Sequence, residues 1–239
     1  MKVNISESKE QTAESFSEYL CKLIAKNTIL HIALSGGSTP KEVFKELVAH
    51  FKNRIDWSKV KFYWGDERCV SSDDKESNYR MANEYLFSKV GIPSGNIHRI
   101  KGENKPEEEA VRYAALLETR LPDHNMQPQF DLVILGIGDD GHTASVFPNQ
   151  ISLWNSKSHC EVAEHPETGQ KRVTLTGSII NNAKEVAFLV TGENKAQIIF
   201  EIIEKKGNYT SYPASLVAPN SGRLNWFLDT DAGKLIQLP

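Results

Sequence analysis

The sequence predicts an α/β fold, a Rossmann-like, mostly parallel sheet with helices on both faces. Three observations predict it. Short apolar runs recur at 28–34, 59–65, 130–138, 185–192 and 223–229. Helix-patterned stretches of ten or more residues stand between most of them, the spacing that joins parallel strands. Two runs, "FDLVILGIG" and "EVAFLVTG", are almost continuously apolar, as in strands covered on both faces.

Each element has a local reason. "SKEQTAESFSEYLCKLIAKN" opens the chain as an amphipathic helix, and "TILHIAL" follows as a buried strand. "SGGSTP" then turns into the helix "KEVFKELVAHF". "KVKFYWG" is the next strand. "SNYRMANEYLFSKV" (77–90) starts on a serine N-cap with apolar residues at helical spacing. "PEEEAVRYAALLETRL" (106–121) has proline at its start and glutamates in its first turn. "ENKAQIIFEIIEKK" is a further helix, and "RLNWFLD" a late strand. The stretches 66–77, 122–130 and 149–171 read as loop excursions from a single domain spanning 1–239. There is no Pro/Gly/Ser-rich linker, internal repeat or low-complexity tract.

Bulk composition excludes several classes. The net charge of −3 gives no general pull toward nucleic acid or an anionic membrane. Three scattered cysteines, Cys21, Cys69 and Cys160, fit neither a disulfide framework nor a structural zinc site. They suit a reducing cytoplasm. The polar N-terminus lacks a signal-peptide core, and no stretch has the length of a membrane span.

In open parallel sheets, ligands bind beyond the carboxyl ends of the strands. The stretches just after the strands are "SGGSTP", "GDERCV", "GIGDDGHTAS" and "TGENK", so every unusual cluster falls on one edge. Gly36 and Gly37 allow close backbone approach, Ser38 and Thr39 offer hydroxyls, and the helix start suits an anion. A capped turn without ligand explains the same residues. Arg68 can fork onto phosphate or carboxylate, or sit in a solvated ion pair with Asp66 and Glu67. Arg172 and Lys195 gain interest only from their position near this edge. His142, in a glycine-rich turn, is a side chain suited to proton transfer near neutrality, with Asp140 two residues away to orient it. A loop histidine capping the next helix is the alternative. A metal site needs further ligands nearby, and none stands at suitable spacing. His31 reads as a packed core residue, and His159, Glu161 and His165 as surface residues. Ser145 lies outside a G-x-S-x-G elbow, which argues against a serine hydrolase.

Together "SGGSTP", "GDERCV", "SNYRMANEYLF", "DLVILGIGDDGHTASVFP", "RVTLT" and "VTGENK" resemble, in order and over residues 35–195, the 6-phosphogluconolactonase motifs of the glucosamine-6-phosphate isomerase/6-phosphogluconolactonase family. The resemblance implies a sugar-phosphate isomerase-like fold. It implies hydrolysis of 6-phospho-D-glucono-1,5-lactone in the oxidative pentose phosphate pathway, without cofactor or metal. The implied partner is that small phosphorylated lactone, with no nucleic acid or membrane, in a monomer or weak homo-oligomer. The implied roles make His142 the base, with Asp140 behind it. Gly36, Gly37, Ser38, Thr39, Arg68, Arg172 and Lys195 bind the substrate: Gly37, Ser38, Thr39, Arg172 and Lys195 take the phosphate, Gly36 lets the backbone approach it, and Arg68 meets either phosphate or the C1 oxyanion. The family's deaminase is the competing reading. It carries Asp-Glu-Tyr where this chain has Asp66-Glu67-Arg68, and Asn-Glu-Pro where this chain has Val146-Phe147-Pro148. Phenylalanine cannot relay the proton an isomerase must move, which favours the lactonase. A non-enzymatic sugar-phosphate sensor is the third reading. It normally needs an attached DNA-binding module, for which the opening helix leaves no room.

Overall fold

The computed structural model describes residues 1–124 and 126–237. In chain order the strands are β1 (Lys2–Ser6), β2 (Leu30–Leu34), β3 (Val60–Trp64), β4 (Asp66–Arg68), β5 (Asp123–His124), β6 (Gln127–Pro128), β7 (Leu132–Leu135), β8 (Cys160–Glu164), β9 (Lys171–Leu175), β10 (Glu185–Val190) and β11 (Leu224–Asp229). The helices are α1 (Lys9–Lys26), α2 (Ser38–Glu46), α3 (Asn78–Tyr85), α4 (Pro106–Arg120), α5 (Gly177–Asn181), α6 (Ala196–Glu204) and α7 (Thr230–Gly233). Six strands form a wholly parallel sheet in the order β1-β11-β10-β7-β2-β3. Every residue of β2 and β7 is buried, which explains their unbroken apolar pattern. On one face Phe16, Leu20 and Ile24 of α1 and Val43 and Phe44 of α2 meet Ile32, Leu34, Ile134 and Leu189. Nearly all of the buried apolar residues form one contiguous cluster; Phe147, Ala163 and Ala196 lie outside it.

Helix starts follow the local chemistry. Ser8 and Ser77 cap α1 and α3 by accepting from the backbone N–H groups of Gln11 and Arg80. Pro106 opens α4 as expected, but Glu109 of its first turn is buried, where Arg112 and the Lys101 N–H bind its carboxylate.

Two expectations need correction. A strand, β1, precedes the opening helix, and it pairs with the late strand β11. The stretches read as loops also hold strands. β4, β9 and β8 make a separate antiparallel sheet, and β5 and β6 a short hairpin. β4 is only three charged residues long, and its partner lies about a hundred residues away, so no local periodicity marks it. The pairing is anchored at Gly65, which donates to Leu34 and accepts from Leu175. The strand order reverses direction between β2 and β7. From there the chain works outward to β3 on one side and to β10 and β11 on the other.

Candidate active site

That reversal opens a crevice between the loops leaving β2 and β7. A pocket of about 170 Å³ fills it. Gly36 and Gly37 line it from the first loop, and Gly138 and His142 from the second. The antiparallel sheet closes the side with Asp66, Arg68 and Arg172, and Asn78 enters from the start of α3.

The loop after β7 is folded tightly around its histidine. Gly138 N–H donates to the His142 carbonyl at 2.9 Å, and the Thr143 hydroxyl donates to the Gly136 carbonyl at 2.9 Å. Asp140 Oδ1 accepts from the His142 backbone N–H at 3.1 Å and lies 2.6 Å from His142 Nδ1. Burial pushes the Asp140 carboxyl up, but the bond and charge of His142 outweigh it and hold the group below the usual carboxylate range. An ionised Asp140 can only accept, so Nδ1–H is the donor of the 2.6 Å contact and Nε2 is the ring nitrogen left free of Asp140. Gly138 is required by space. A Cβ there would stand 2.1 Å from His142 Nδ1 and 2.7 Å from Asp140 Oδ1. Behind the imidazole lies fully buried Phe147, its ring 4.6 Å from His142, 5.2 Å from His165 and 5.7 Å from the Arg172 guanidinium.

The antiparallel sheet carries the positive charge. Arg68 and Arg172 are direct cross-strand partners, a like-charge pairing that disfavours the sheet unless an anion joins it. Both Nε atoms are buried without a hydrogen-bond partner. Burial, then the neighbouring Arg68, lowers the pKa of Arg172. Asp66 is also buried. It accepts from the Ser145 hydroxyl at 2.6 Å, and Ser145 N–H donates to Thr174 Oγ1. Glu67 points the other way. It accepts from Arg68, Asn78 and Tyr79 N–H and from the Ser77 hydroxyl, pinning α3 to β4. Burial pushes its carboxyl up against those four donors.

Gly36, Gly37, Arg68, His142 and Arg172, all expected from sequence, thus share one pocket. Asp140 stands behind His142 and does not line the pocket. Ser38 lines the neighbouring cleft between α2 and α3. The Thr39 and Thr191 hydroxyls share a hydrogen bond of 3.0 Å, tying α2 to the loop that carries Lys195. Lys195 pairs with Asp139 of the histidine loop at 2.5 Å and lies outside the lining. Gly36 is glycine for a reason different from the one expected. Its missing Cβ leaves room for the Asn78 amide, which a Cβ would approach to 1.9 Å. Asn78 itself was not expected from sequence. The signal was present: a polar residue four before Ala82 on the buried face of α3. His159, Glu161 and His165 are half-buried rather than on the surface, the first two bonded to Glu118 and Ser156. His31 is packed as expected, against Tyr63.

A family model for glucosamine-6-phosphate isomerases/6-phosphogluconolactonase matches residues 4–226. The chain belongs to this family. The 6-phosphogluconolactonase of Aggregatibacter actinomycetemcomitans is 44% identical over 207 residues, which cover 86% of this chain and 87% of that one. The crystal structure of the devB protein superposes with a TM-score of 0.94 at 42% identity, covering 99% of both chains. A monomeric glucosamine-6-phosphate deaminase reaches a TM-score of 0.83 at 21% identity, covering 99% of this chain and 100% of that one. At that distance it shows the fold alone. Lactonase and deaminase share the architecture, so the side chains in the pocket must separate them.

Proposed function

We propose that His142 activates a water molecule for hydrolysis of 6-phospho-D-glucono-1,5-lactone, a step of the oxidative pentose phosphate pathway. The enzyme is a lactone hydrolase. Nε2 of neutral His142 takes a proton from water as the oxygen attacks C1. The tetrahedral intermediate collapses with cleavage of the bond between C1 and the ring oxygen. The imidazolium returns its proton to that oxygen, and the new acid ionises to a carboxylate. Asp140 fixes the ring tautomer and stabilises the imidazolium. The phosphate rests on the N–H groups of Gly37, Ser38 and Thr39 with Arg172 and Lys195, and Arg68 meets charge developing at C1. Binding energy from the phosphate orients the reacting carbon.

The observation that carries this reading is the 2.6 Å His142–Asp140 contact beside a pocket with two guanidiniums and no second base in the position of Phe147. A ring-opening isomerase needs that second base, whereas a lactonase needs one activated water. The test is turnover of freshly made lactone above its spontaneous hydrolysis, with glucosamine 6-phosphate as control. His142→Ala is expected to lower kcat by about 10²–10⁴-fold with little change in KM. A variant that retains kcat and loses KM would reduce His142 to a binding residue. Ammonia release from the amino sugar would establish the deaminase instead.

A further inference from the structure

On the far side of Arg68 lies a second cavity, about 350 Å³, between α2 and α3. It shares Gly37, Arg68 and Asn78 with the catalytic pocket, so the two adjoin at Arg68, and Ser38, whose N–H is proposed to hold the phosphate, stands on the wall between them and lines this cleft. Its other cations are Lys41, Lys75 and Arg80. Glu76 and Glu84 are the carboxylates in its lining, leaving an excess of positive charge. None of these four cations is in an ion pair among the described residues, whereas Arg54, Arg99, Arg112 and Arg223 elsewhere each have a carboxylate partner. Arg68, Arg80 and Arg172, which line the two adjoining cavities, have none among the described residues. Arg68 and Arg80 are aimed by bonds that leave charge uncancelled, since each donates to a backbone carbonyl, of Glu76 and Asp73 respectively.

The reaction changes charge at one end of the ligand. The lactone is neutral at C1; the opened product carries a carboxylate there and is longer than the ring. We propose that the α2–α3 cleft is a second anion subsite, which receives the product's carboxylate past Arg68 while the phosphate stays anchored. This rests on the lactonase reading of His142. The subsite discriminates product from substrate, because an uncharged ester carbonyl gains little from Arg80 and Lys75 while a carboxylate gains a charge-assisted bond.

The test is calorimetric titration of the intact enzyme with 6-phosphogluconate and with inorganic phosphate, beside lactone kinetics. The variants are Arg80→Gln, Lys75→Gln and the pair; Lys75 is exposed, so its replacement leaves the packing intact. The double variant is expected to bind 6-phosphogluconate about tenfold more weakly, with inorganic phosphate affinity and lactone KM within about twofold of the parent. Unchanged affinity for 6-phosphogluconate would overturn the subsite. A parallel rise in KM would overturn it too, because the cleft would then hold the substrate's phosphate. If the parent enzyme does not hydrolyse lactone, the catalytic reading fails by itself, while the binding arm still decides whether a carboxylate sits in the cleft.

Discussion

The pocket has two walls built on different physical terms. The wall between β2 and β7 is made of backbone. Its loops leave fully buried parallel strands, its histidine is gripped by three bonds within one turn, and Gly36 and Gly138 are glycines because neighbouring side chains occupy the space. The wall from β4 and β9 is made of long charged side chains whose partners are incomplete: two arginines face each other across a short antiparallel pairing, both with an orphaned Nε. The first wall is finished before a ligand arrives. The second is complementary to an anion, and is stabilised when one arrives. The proposed reading puts the proton acceptor, His142, on the rigid wall and Arg68 and Arg172 on the unsatisfied one.

The contrast between the walls can be tested in three places, and against a fourth remote from both. The largest effect is expected from Gly138→Val, which puts atoms where the His142–Asp140 pair stands. Loss of kcat by about 10²-fold or more, with the fold intact by circular dichroism, is the expected result. Near-normal turnover would show that the pair is not needed in this geometry. Next, Lys195→Ala should raise KM for the phosphorylated lactone about tenfold and leave unphosphorylated gluconolactone unaffected; equal losses on both would remove Lys195 from the phosphate. Third, Ser145→Ala strips the 2.6 Å donor from buried Asp66 and should cost about 1–3 kcal/mol in urea unfolding, a measure of how far the charged wall depends on its buried network.

The smallest effect tests a region remote from both walls. His98 stacks on Tyr63, and burial, then Arg120, lowers its pKa to about 4. The unfolded chain therefore binds a proton that the native chain refuses as pH falls from the ordinary histidine value toward 4. Stability drops over that window and levels off below it. His98→Phe should flatten this limb in urea midpoints taken between pH 7 and pH 4, leaving kcat at neutral pH unchanged. A limb of the same slope in the variant would assign it to other groups.

Legibility in the sequence differs between the same two walls. The parallel strands announce themselves by unbroken apolar runs, and the rule that ligands gather at strand ends puts His142 and the 35–40 loop on one edge from the amino-acid order alone. The antiparallel sheet is hidden. β4 reads "DER", with no alternation to betray it, and its pairing with β9 joins segments far apart in the chain. Arg68 and Arg172 emerge as isolated cations, not as partners, because register is a property of two strands and no single stretch encodes it. Asn78 goes unnoticed because the serine cap explains the start of α3 so well that the residue after it raises no question. The two-walled pocket thus appears in the sequence as one clear half and a scatter of charges.

The placing of β1 has a consequence for how the molecule is made. Among the described residues its one neighbour in the sheet is β11, in register from Lys2 against Asn225 to Ser6 against Asp229. During synthesis β1 leaves the ribosome early and must wait, edge unpaired, until β11 has emerged. The half of the sheet around β2, β3 and β7, which positions the candidate site, can assemble sooner, but this border of the sheet closes late. A chain cut short before β11 would carry an orphaned first strand as well.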